Sequence, residues 1–109
     1  MFYELEINDK VYKLKLTTMN IVSLEKVIKC NPLSIFGNGE QIPEITTMVA
    51  ILWASLQQYQ HGIGMQDAYK LFDEYLEKHT ATDFISVILE IYKVSGLMAS
   101  TKEDDSKNV

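Results

Sequence analysis

A mainly α-helical fold with a small N-terminal β-hairpin is what this sequence predicts, and three observations predict it. Two alternating stretches, 2–7 and 11–16, flank the polar turn Asn8-Asp9-Lys10, which is the pattern of a hairpin. Four later stretches repeat apolar residues every three or four positions, the period of a helix face. One of these, Glu44 to Tyr59, is apolar around so much of its circumference that it needs cover on several sides. It is therefore expected to be the central helix of a compact bundle of about four.

The hairpin spans residues 2–16. Tyr3, Leu5 and Ile7 share a face, with Phe2, Glu4 and Glu6 on the other. Tyr12, Leu14 and Leu16 continue the apolar face, separated by Lys13 and Lys15. Glu4 and Glu6 are expected to face Lys13 and Lys15, since opposite charges favour cross-strand pairing. A bare hairpin is marginal in water, so this one must pack on the helices. An uncovered edge would be free to pair with another subunit.

Thr17 and Thr18 are N-cap residues for a helix over 18–30, with Ile21, Leu24, Val27 and Ile28 as its apolar face. Asn31-Pro32 stops it, because the residue before proline avoids the helical region. Leu33 to Phe36 reads as one helical turn, and Gly37 to Pro43 as a loop. The central helix, 44–59, turns Ile45, Met48, Val49, Leu52, Leu56 and Tyr59 inward, and Ile51 and Trp53 widen that face. His61-Gly62-Ile63-Gly64 ends it. A helix over 65–79 follows, with Ala68, Leu71, Phe72, Tyr75, Leu76 and His79 inward. Thr80 to Asp83 caps the last helix, 83–98, which is apolar at Phe84, Ile85, Val87, Ile88, Leu89, Ile91, Tyr92 and Val94. Residues 1–99 are read as a single domain and 100–109 as a disordered polar tail. Trimming that tail is expected to leave the melting temperature unchanged.

Composition narrows the function. At 109 residues, 47% hydrophobic, with two prolines and five glycines, the chain has the make-up of one globular domain. Its net charge is −5, and all ten basic residues are lysine. An acidic chain without arginine lacks the electrostatics and the bidentate guanidinium that nucleic-acid binding favours. No apolar run reaches the ~18 residues of a membrane span. The N-terminus does not read as a secretion signal. Cys30, the one cysteine, has no partner for an intramolecular disulfide, so an intracellular setting is expected.

No catalytic or cofactor chemistry is expected. Cys30 has neither a histidine nor a second cysteine nearby in sequence, and reads as a small buried or half-buried side chain. Asp73, Glu74 and Glu77 lack the order of a calcium loop and read as a solvated face. His61 and His79 stand at no metal-ligand spacing. The loop at Gly37 lacks the Lys-Ser/Thr of a phosphate-binding loop. Two broad apolar helices in so short a chain instead predict an exposed hydrophobic strip and a protein partner.

The chain also resembles a known family. Tyr12-Lys-Leu-Lys-Leu-Thr-Thr18, Leu24-Glu-Lys26 and Asn31-Pro-Leu-Ser-Ile-Phe36 look like the opening of tail assembly chaperones from long non-contractile-tailed phages and prophages of low-GC Gram-positive bacteria. Ile51-Leu-Trp-Ala-Ser-Leu56, Tyr59-Gln-His-Gly62 and Leu71-Phe-Asp-Glu-Tyr-Leu76 continue the likeness. It covers nearly all of the chain up to the last helix. The resemblance implies a partner, the tape measure protein, a long helical chain kept soluble until tail tube protein assembles around it. It also implies action in the host bacterial cytoplasm, absence from the mature virion, and a longer frameshifted form, to which this chain would be the short counterpart.

Such a chaperone would hold amphipathic helices in a groove of adaptable aromatic and methionine side chains. Phe36, Met48, Trp53, Tyr59, Phe72, Tyr75, Phe84 and Tyr92 are the candidate partner-binding residues, with self-association also expected. The alternative is a small helical adaptor or regulator acting by protein–protein contact outside tail assembly.

Overall fold

The computed structural model describes residues 1–36 and 42–99. The expected loop residues 37–41 and the polar tail 100–109 lie outside the described residues. The fold is mainly α, with an N-terminal hairpin followed by four α-helices: β1 (Tyr3–Ile7), β2 (Lys10–Leu14), α1 (Thr18–Ile28), a 3-10 helix (Pro32–Phe36), α2 (Ile45–Leu56), α3 (Met65–Tyr75) and α4 (Ala81–Val94).

The hairpin follows the alternation in its sequence. β1 and β2 pair antiparallel, Tyr3 with Leu14 through Ile7 with Lys10. Asn8 and Asp9 take φ of 49° and 67°, the positive values of a two-residue turn whose twist suits the strands. Leu5, Ile7, Tyr12, Leu14 and Leu16 are buried. Behind β2 the chain is pinned twice. Lys15 N–H donates to the Ser55 carbonyl at 3.0 Å, and Leu16 N–H donates to Ser95 Oγ at 2.8 Å.

The expected charge ladder is only partly present. Glu4 faces Lys13, but Glu6 faces Val11. Lys13 Nζ sits over the Phe2 ring, 4.9 Å from its centroid, while Phe2 meets Tyr59 edge-on at 5.2 Å. A cation held over an aromatic face replaces the expected ion pair.

α2 is central. It packs against α1, α3, α4 and β2, and Met48 to Leu52 and Ala54 to Leu56 are buried. Its one buried polar side chain, Ser55, donates back to the Leu52 carbonyl at 2.9 Å. Burial of the larger aliphatic side chains contributes about 1.5–3 kcal/mol each. The helix ends at Leu56, earlier than expected, so Tyr59 lies in the following turns. Gln57 Nε2 donates to the carbonyls of Trp53 and Ile63, which holds those turns against the helix end.

The caps explain the other boundaries. Thr17 accepts from Asn20 N–H at the start of α1, and Lys29, at φ 62°, closes it. Cys30 therefore lies beyond the helix and is exposed, not buried as its type suggested. Asp67 accepts from Gly64 N–H at 2.8 Å, opening α3. Thr80 and Asp83 exchange hydrogen bonds with each other's N–H groups, a capping box that starts α4 two residues earlier than expected. Gly96, at φ 81°, lets Leu97 N–H reach the Tyr92 carbonyl at 2.9 Å, as in a Schellman closure.

Candidate partner-binding surface

Five of the eight sequence-predicted contact residues are in the core: Met48, Phe72, Tyr75, Phe84 and Tyr92 are each 3% exposed or less. Phe72, Tyr75 and Phe84 form one aromatic cluster, with Phe84 meeting the other rings edge-on at 5.1 and 5.3 Å. Tyr92 donates to the Pro32 carbonyl at 2.8 Å and meets Phe36 edge-on at 5.9 Å. Phe36 and Trp53 are half-buried, and Tyr59 is exposed. These eight side chains do not form one groove. For the five buried ones, the apolar faces they belong to are used up inside the bundle.

Part of the uncovered apolar surface lies on α1 instead. Of its expected inner face, Leu24 is buried, Ile21 and Ile28 are half-buried and Val27 is 45% exposed. Val27 and Ile28 line a cleft of about 320 Å³ with Glu44, Thr46 and Thr47 at the start of α2 and with Met65 and Tyr69 of α3. Met65 and Tyr69 stand one helical turn apart and so share a face. Tyr69, and Ile45 at the first position of α2, are both exposed. Around α1, Met19 and Val22 are exposed as well, at 77% and 41%. An amphipathic sequence here does not distinguish a face pressed into a core from one left half-open. The signal available was the low apolar content of α1 beside that of α2.

Polar groups have structural tasks. Glu74 and Glu77, read from sequence as a solvated face, accept hydrogen bonds from Asn8 Nδ2 at 3.3 and 3.4 Å, tying the hairpin turn to α3. Asp73 remains exposed. His79, expected to face inward, is exposed because α3 ends at Tyr75, and it stacks on the Tyr75 ring at 4.6 Å. Leu76 is exposed for the same reason.

The titratable groups shift in ways that go with packing. Burial, then Asp83 and Tyr3, pushes the Tyr75 hydroxyl up to about 12. Burial also raises Tyr92, with Cys30 adding to it. The hydrogen bond from Thr80 N–H holds Asp83 below the usual carboxylate range. Among the described residues no group of three or more His, Cys, Asp or Glu side chains is arranged to hold a metal ion. No described helix is long and apolar enough to cross a membrane. No family model, no curated protein and no solved structure matches this chain.

Proposed function

We propose that this protein is a tail assembly chaperone that holds apolar helical segments of a tape measure protein in the cleft between α1, α2 and α3. The observation that carries the reading is that cleft: Val27, Ile28, Met65 and Tyr69 line it beside the polar Glu44, Thr46 and Thr47, and the fold leaves it open. It is at the small end for a small-molecule pocket, and its open lining, apolar on α1 and α3 and polar at the start of α2, suits a few side chains of a docked amphipathic helix. Met65 lends it adaptability, because a thioether side chain repacks at little cost. A holder of many related segments needs that tolerance more than it needs high affinity for one. The family resemblance of the sequence supplies the identity of the partner.

On this reading the protein works in the cytoplasm of the host bacterium and leaves before the virion is complete. Its further partners are a frameshifted long form of itself and tail tube protein. Self-association uses the outward apolar residues of α1, Met19 and Val22.

Co-expression tests the proposal. A tape measure protein encoded beside this chain is expected in the soluble fraction when both are made, and to pellet when made alone. Equal insolubility in the two cases would refute the chaperone reading. Co-purification with a protein of unrelated genomic context would favour the adaptor reading.

A further inference from the structure

The two outer edges of the hairpin are treated differently. On β2, Lys13 N–H donates to Gln60 Oε1, and Gln60 Nε2 donates to the Lys13 carbonyl, both at 3.0 Å. A glutamine side chain thus occupies the place of a third strand. Lys15 N–H is taken by Ser55. The β2 edge is closed at Lys13 and Lys15.

The same bonds orient β1. Because both backbone groups of Lys13 point away from β1, its partner Glu4 must point both of its groups away from β2. Two positions on, Glu6 does the same. Among the described residues nothing hydrogen-bonds to the backbone groups of Glu4 or Glu6 on that side. The edge opens on a groove lined by Tyr3, Glu4, Leu5 and Glu6 on one side and by Lys78 and His79 on the other.

We propose that the open β1 edge accepts an extended segment of another protein, one that alternates Lys or Arg with apolar residues. Backbone groups of the edge supply the general attraction, as in strand addition, and side chains supply the choice. Residues opposite one another across a sheet share a face. The partner's residues opposite Glu4 and Glu6 therefore sit on the solvent side, where two carboxylates favour cations. Its intervening residues continue the face of Tyr3, Leu5 and Ile7, which is apolar.

Charge also excludes a second copy of this strand. The outward groups of β1 belong to its even positions, so antiparallel pairing of two β1 strands in register sets Glu4 against Glu4 or Glu6, or Glu6 against Glu6. Like charges directly opposite destabilise such a pair, and charged edge residues are a common guard against self-pairing. The expected pairing of subunits through the hairpin edge is thus disfavoured for β1, and Gln60 obstructs it for β2. This inference does not depend on the tape measure reading.

Amide hydrogen exchange of the full chain tests it. The probes are a blocked octapeptide alternating Lys and Val, the same peptide with Glu for Lys, and a peptide of four Lys followed by four Val. At a peptide concentration about ten times Kd, the alternating Lys peptide is expected to slow the Glu4 and Glu6 amides roughly tenfold, because exchange then proceeds from the unbound fraction. The other two peptides should leave them unchanged. In the E4K/E6K variant, whose substituted positions are exposed, the Glu peptide should become the one that protects. The proposal is overturned if all three peptides act alike or if none slows these amides. It is equally overturned if the amides are protected without peptide in a way that grows with protein concentration, which would make a second copy the occupant.

Discussion

The Tyr92 hydroxyl donates a 2.8 Å hydrogen bond to the carbonyl of Pro32 inside the protein. Sixty positions separate the two residues along the chain, so this bond seats the 3-10 helix on α4. Phe36 reinforces it, with its ring edge-on to Tyr92. The contact also explains how a lone aromatic hydroxyl is accommodated at 0% exposure: it has a partner, as buried polar groups require.

Replacing Tyr92 by Phe removes the donor and keeps the ring. The buried Pro32 carbonyl is then left without its partner, a loss of about 1–3 kcal/mol. For a domain near this size each kcal/mol lowers the melting temperature by roughly 4–8 °C. Thermal unfolding followed by circular dichroism is expected to show a fall of at least ~4 °C. An unchanged melting temperature would mean that the bond does not anchor this segment.

Gln60 offers a different case, because its bonds to Lys13 lie at the surface. Gln60→Ala should cost less than Tyr92→Phe, about 0.5–1.5 kcal/mol. Its specific mark is local: the Lys13 amide loses protection from hydrogen exchange while the Leu14 amide, inside the ladder, keeps it. Retained protection at Lys13 would show that another group closes this edge.

Alkali should unfold the protein before its strong base limit. The folded pKa of Tyr75 lies at about 12, above its ordinary value of 10.0, and Tyr92 is raised as well. Below pH 10 both tyrosines are neutral whether folded or unfolded, and their packing contributes in full. As pH rises from about 10 through the folded pKa, the unfolded chain loses protons first, and stability falls. Urea midpoints measured from pH 8 to pH 11 should stay level and then decline. Ultraviolet titration should show part of the tyrosine absorbance change arriving together with unfolding. Complete, unshifted titration of all six tyrosines in the folded state would contradict the buried placement.

The hairpin was legible from sequence because alternation names the inward residues one by one: Leu5, Ile7, Tyr12, Leu14 and Leu16 are buried as their parity required. Central α2 was legible because Met48 to Leu56 leaves almost no polar flank to face water. The candidate surface was not. Periodicity assigns a residue to a face but does not say how completely that face is covered: Phe72, Phe84 and Tyr92, expected at a contact surface, are buried, while Val27, expected on the inner face of α1, is exposed. Gln60 was equally hidden, since nothing in Gln58-Tyr59-Gln60 marks the last residue as the one that caps a strand 47 positions away.

The cleft itself is best tested by a Val27→Glu/Tyr69→Glu double variant co-expressed with the tape measure protein. Both positions are more than two-fifths exposed, so the variant should melt close to the parent, as surface substitutions usually do. If the proposed tape measure partner docks in this cleft, the parent keeps it soluble and the folded variant lets it pellet. A variant that melts like the parent and solubilises the tape measure chain equally well would contradict the cleft as the gripping surface.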